Sequence, residues 1–157
     1  MKILKIILVG LLIVFVLAQY IDPEENSGSI TSFETFLKDT NPNEEVTAIL
    51  KTSCFDCHSD VTNYPWYNNI TPLNFWLAEH IEDGKKHFNI SAWDGYSVKK
   101  KDHKFEELIE MVESKEMPLE SYTYTHAEAK LTDAQIAAVV EWGKKVRLKY
   151  SLAPQPQ

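Results

Sequence analysis

Arginine is almost absent from this sequence, and cysteine, glycine and methionine are scarce. The 157 residues include one Arg, Arg147, against 23 Asp+Glu, for a net charge of −7. An acidic chain with so little arginine is not built to hold a phosphate backbone, which excludes nucleic acid as a partner. Two Cys exclude a disulfide-rich scaffold and a four-cysteine zinc site. Five Gly and seven Pro exclude collagen-like and low-complexity classes. What remains is a 44% hydrophobic chain, enough for one modest domain and not for two. Four Trp, seven Tyr and seven Phe suit an aromatic core or a large flat apolar ligand.

The N-terminus carries an address. Lys2 and Lys5 precede an uncharged apolar run of 13 residues from Ile6 to Ala18, and Asp22, Glu24 and Glu25 follow it. A basic start before an apolar stretch is the export pattern. The run is short for a full span, but Lys5 can snorkel and Gln19, Tyr20 and Ile21 can lie in the interface. Residues 1–21 are therefore expected to form a membrane anchor, with cleavage after Ala18 as the alternative. The positive-inside bias puts the N-terminus in the cytoplasm and the domain on the extracytoplasmic, periplasmic side. Residues 1–21 hold Lys2 and Lys5 and no acid, so beyond them 14 basic residues face 23 acidic ones, net −9. Such a surface favours cationic partners over anionic lipid.

Residues 22–42, punctuated by Pro23, Asn26, Ser27, Gly28, Ser29, Asn41 and Pro42, read as a tether on which Phe33, Phe36 and Leu37 can dock. Residues 43–150 carry helical periodicity, and 151–157 are expected to be a disordered tail. Asn43 caps a first helix with Val46, Ile49 and Leu50 on one stripe. Thr71 and Pro72 start a second, striped by Leu73, Trp76, Leu77, His80, Ile81 and Gly84. A third spans about 102–115 with Phe105, Leu108, Ile109 and Val112 inward, and Pro118 denies Met117 a helical conformation. Thr132 and Gln135 form a capping box on a fourth, with Ile136, Val139, Val140, Trp142 and Val146. Strand signals are poor. The expected fold is all-α, a small cytochrome-c-like domain of about four helices behind the N-terminal membrane segment.

The first of these helices runs into Cys54-Phe55-Asp56-Cys57-His58, a C-x-x-C-H motif. This is the attachment signature of c-type haem. Two thiols at i and i+3 reach the same side and can bond two vinyl groups of one porphyrin, and the following His is held beneath the iron. Haem c is assembled outside the cytoplasm, so the motif and the export pattern support each other. Three other readings stand beside it. A Cys54–Cys57 disulfide suits an oxidising compartment. A thioredoxin-like site needs a strand before the motif, which this pattern lacks. Zinc needs a fourth ligand and an awkward adjacent Cys-His pair.

The chain resembles the haem-binding domain family of exported, c-type-cytochrome-like bacterial proteins. The resemblance rests on Ile49–Ser59, Tyr-Pro-Trp-Tyr (64–67), Asn-Ile-Ser-Ala-Trp (89–93), Glu-Met-Pro-Leu-Glu-Ser-Tyr-Thr (116–123) and Ala-Lys-Leu-Thr-Asp-Ala-Gln (129–135), and covers about residues 43–148. It implies one covalently bound haem and a short N-terminal membrane segment, but no settled enzyme activity or partner. One departure is Phe88-Asn89-Ile90-Ser91 where Leu-Asn-Phe-Ser is expected.

With Cys54 and Cys57 holding the haem and His58 as proximal iron ligand, the distal position is expected to fall to Met117. It lies 59 residues after His58, in a loop before the last helix. A thioether raises the potential, which suits an electron carrier. His80 is the rival distal ligand. Met111 reads as packing, His103 and His126 as cap or loop residues, and His87 as solvated. Trp66, Tyr67, Trp76 and Trp93 can wall a porphyrin or simply pack. The expected function is single-electron transfer between redox partner proteins, more a carrier than an enzyme. A haem-based sensor, a peroxide- or gas-reactive haem protein, and a non-haem CxxC disulfide module are the alternatives.

Overall fold

The structure is a computed structural model that describes residues 1–29 and 33–153. Residues 154–157 of the expected tail lie outside the described residues. Among the described residues the regular structure is helical, with eight α-helices, short 3₁₀ turns and one isolated antiparallel bridge, Ser27–Val61. The all-α expectation holds. The helices are α1 (Lys2–Ala18), α2 (Glu34–Thr40), α3 (Glu44–Ser53), α4 (Phe55–His58), α5 (Leu73–His87), α6 (Val98–Glu113), α7 (Glu120–Thr123) and α8 (Asp133–Ser151). Helices α3, α5, α6 and α8 are the four expected from periodicity.

Two of the expected caps are present. Asn43 accepts from Val46 N at 2.8 Å, with Glu44 and Glu45 in the first turn of α3. Thr132 and Gln135 close the capping box of α8. The other two boundaries differ. Helix α5 begins at Leu73, without a side-chain cap. Thr71 N donates to Gln19 Oε1 at 3.0 Å, Thr71 O accepts from Gln19 Nε2 at 3.1 Å, and the Thr71 hydroxyl donates to Ile21 O. Its polar groups serve the junction with α1 and not the helix. Helix α6 starts four residues earlier than expected, capped by Ser97. The run Lys99–Lys101 hid this turn, because Lys100 lies over the Tyr96 ring and Lys101 reaches Asp39. Helix α6 also ends at Glu113, well before Pro118: Lys115 sits at φ 63°, and Met117 N donates to Met111 O at 3.1 Å.

The core is aromatic. Phe105 on α6 lies 5.0 Å from Trp142 of α8 and 5.7 Å from Trp93 of the 90–95 turn. Phe36 of α2 adds to the cluster, stacked over Phe105 at 6.3 Å. Helices α6 and α8 pack closely because Gly143 leaves its space to Ile109, whose Cγ1 would lie 3.0 Å from an added Cβ. Residues 22–42, expected as a tether, are bound to the domain along most of the described length. Asn26 accepts from Lys85 and donates to Ser59 O and Thr62 Oγ1, and Phe36 is fully buried.

Helix α1 has no buried residue. Its 17 residues rise about 25 Å, against roughly 30 Å for a hydrocarbon core. Among the described residues, no helix is long and apolar enough to cross a membrane.

Candidate functional site

The cysteine motif sits where one helix stops and a single turn restarts. Helix α3 closes with Cys54 N donating to Leu50 O at 3.0 Å, and Cys54 then leaves helical conformation at φ −128°. Its carbonyl accepts from both Cys57 N and His58 N, at 3.3 and 3.0 Å, which rebuilds one turn. Phe55 points into the core against Phe33, at 4.7 Å. Buried Ser59 ends the turn by donating to Phe55 O at 2.8 Å.

His58 is fixed through one ring nitrogen. Nδ1 lies 2.9 Å from both Gly84 O and Phe88 O, so it carries the proton and donates. That tautomer leaves Nε2 as the lone-pair nitrogen, the arrangement seen in metal-bound imidazoles whose other nitrogen is held by a carbonyl. Burial pushes the His58 pKa below its ordinary value, opposed by the two carbonyls, and keeps the ring neutral. Gly84 makes this approach possible. A Cβ there would stand 2.7 Å from Cys57 O and 3.1 Å from Cys57 Cβ.

Both cysteines are free. Burial, reinforced by the charge of Cys57, pushes the Cys54 thiol up to about 12, and burial with Asp56 pushes Cys57 up to about 11. A redox-active CxxC pair needs a lowered thiol pKa, and burial here acts in the opposite direction. Among the described residues no group of three His, Cys, Asp or Glu is placed to hold a metal ion.

A cavity of about 230 Å³ opens beside the motif. Cys57 and His58 line it from the turn, His80 and Gly84 from α5, Met117 from the loop after α6 and Tyr122 from the short helix α7. The proximal candidate and both distal candidates therefore meet at one cavity. Cys54 is instead packed against the main core. His80 donates from Nδ1 to Trp76 O at 2.8 Å, leaving its Nε2 available. Met111 is 38% exposed on α6 and not the packing residue expected. His103 is on α6 beside Glu106 and Glu107, not at a cap. His87 ends α5 at the cavity edge.

The four aromatics considered as walls do not line this cavity. Trp93 is wholly buried in the core, Tyr67 belongs to a satellite cluster with Leu77 and Ile81, and Trp66 and Trp76 are exposed. The aromatic residue that does line it, Tyr122, was missed by sequence reasoning. It donates to Asp56 Oδ2 at 2.9 Å, a contact across 66 residues that no periodicity encodes. A larger recess elsewhere, bounded by Glu24, Glu79 and Lys85, holds none of the expected ligands.

The donors that meet at the cavity fit a haem: the Cys57 thiol, a neutral imidazole with a committed tautomer, a thioether and a second imidazole, with the Cys54 thiol one turn away against the core. No curated protein and no solved structure matches the chain. The sequence model of the family described as Haem-binding domain matches residues 13–145, which is most of the molecule, and the chain belongs to that haem-binding family.

Proposed function

We propose that this domain carries one haem c, bound covalently through Cys54 and Cys57, with His58 as proximal and Met117 as distal iron ligand, and that it relays single electrons while tethered to a membrane. The observation that carries the reading is the double anchoring of His58 Nδ1 on Gly84 O and Phe88 O, beside a cavity that Met117 also lines. When bound, the haem supplies the one-electron chemistry. The protein supplies the axial ligands, the burial and the neutral imidazole. Membrane tethering is supported by α1, an uncharged helix beyond Lys5 in which none of the described residues is buried. At about 25 Å it is shorter than a full hydrocarbon core, and Lys5 can snorkel to the interface. The domain then lies on the extracytoplasmic, periplasmic side. Its net −9 charge favours redox partner proteins with cationic docking faces.

His80 is the second reading for the distal ligand, because it lines the same cavity with Nε2 available. The test starts with full-length protein produced with export and haem-ligation machinery. It should gain one haem mass that survives denaturation, and Cys54→Ala and Cys57→Ala should each lower that yield sharply. Met117→Ala should keep the haem, abolish the near-infrared sulfur-to-iron band of the ferric protein and lower the potential. Unchanged spectra in Met117→Ala together with shifted spectra in His80→Ala would assign the ligand to His80. Absence of covalent haem would overturn the reading.

A further inference from the structure

The loop that carries Met117 is fastened to the cysteine motif at one point. Asp56, one of the two residues between the cysteines, presents a carboxylate fixed at both oxygens. Oδ1 accepts from Asn63 N and Oδ2 from the Tyr122 hydroxyl, each at 2.9 Å. Tyr122 lies five residues after Met117 and lines the same cavity. Its carbonyl accepts from His126 N at 3.1 Å, and its ring stacks on His126 at 4.2 Å and 15°. Tyr122 N also donates to Leu119 O at 3.0 Å, so the hydroxyl belongs to a hydrogen-bonded 119–126 turn and not to a loose side chain.

The two ends of the loop are held elsewhere. Met117 N is bonded to Met111 O on α6, and Thr125 Oγ1 lies 3.3 Å from Tyr67 OH. Between these points the Asp56–Tyr122 bond joins the motif to the loop. A charge-assisted bond of this kind is among the stronger ones a protein makes.

We propose that Tyr122 and Asp56 form a latch that positions the Met117 loop over the cavity, and so sets how readily the sixth iron position opens to outside ligands. Tyr122 is a positioning residue. It acts on Met117 through the backbone of its own loop, while Asp56 grounds the loop on the segment that binds the haem. The inference rests on the haem and Met117 reading above.

The test is an imidazole titration of the ferric, haem-loaded full-length protein, with the near-infrared sulfur-to-iron band followed in parallel. Tyr122→Phe removes one hydroxyl and keeps the ring stack, so covalent haem should be retained. Imidazole should displace the native ligand at about ten-fold lower concentration, equivalent to about 1.4 kcal/mol. Asp56→Ala should match it, and the double variant should add nothing, because either change breaks the same bond. Asp56→Asn keeps groups that can meet both Asn63 N–H and Tyr122 OH and should lie close to wild type. Wild-type imidazole affinity in Tyr122→Phe, or additive effects in the double variant, would overturn the latch. That failure is separable from failure of the ligand assignment: if Met117→Ala also leaves the band and the titration unchanged, Met117 is not the ligand, whereas a shifted Met117→Ala beside an unchanged Tyr122→Phe discards the latch alone.

Discussion

At Gly84 one missing side chain decides whether the site can form. The position is helical, and no unusual φ requires glycine there. What requires it is the Cys57 backbone, whose carbonyl oxygen would lie 2.7 Å from an added Cβ. Backbone cannot swing aside as a flexible side chain does, so α5 would have to move off the motif turn. That movement would also draw the Gly84 carbonyl away from His58 Nδ1, now at 2.9 Å. Gly84→Ala should therefore destabilise the protein by roughly 1–3 kcal/mol, despite the better helix propensity of alanine. Thermal unfolding would measure that loss. The fraction of protein carrying covalent haem should fall with it, read by intact mass.

Helices α2 and α8 and the 90–95 turn are drawn together by a single carboxylate. Asp39 accepts from Trp93 Nε1 at 2.9 Å, Lys101 Nζ at 2.9 Å, Tyr150 OH at 2.8 Å and Lys149 Nζ at 2.7 Å. Its side chain is 22% exposed. Burial alone would raise its pKa, but these four donors outweigh burial and hold it well below the carboxylate range. A depressed folded pKa gives stability that is fully present above the unfolded value near 3.9 and lost as pH falls toward the folded value. Asp39→Asn should cost about 2 kcal/mol at pH 7, and this difference should shrink as the pH is lowered below about 4. Denaturant unfolding of both proteins at pH 7 and pH 3 checks it. An equal difference at the two values would exclude this cluster as the source.

At the scale of the whole molecule, the proposed membrane tether is joined firmly to the domain. Helix α1 does not end in a free linker. Gln19 pairs with both backbone groups of Thr71, and Asp22 accepts from Asn74 Nδ2 at 3.2 Å, at the entry to α5. The same helix carries His80 and Gly84 to the cavity. The junction leaves Tyr20, Ile21, Leu73 and Trp76 exposed at one end of the domain. Full-length protein should float with neutral phosphatidylcholine vesicles, and a chain beginning at Asp22 should stay behind. Equal flotation of the two would show that α1 is not the anchor.

The sequence by itself determined the all-α class, four of the long helices and two of their caps, and it singled out His58 as the imidazole to propose. Each of these depends on near neighbours in the chain: a 3.6-residue period, a side chain three residues from an amide, or a Cys-x-x-Cys-His turn. The sequence also named Met117 and His80 as the contenders that the structure brings to one cavity. Tertiary structure alone decided the rest. Residues 22–42 offered Phe33, Phe36 and Leu37 for docking, but the seven residues of α2 are too few to display a period, so only packing puts Phe36 wholly in the core. Lys99–Lys101 look like solvated charge until Tyr96 and Asp39 meet them. Gly84, Asp56 and Tyr122 acquire their roles from contacts 27 to 66 residues away in the chain, where only packing can place one backbone or one hydroxyl against another.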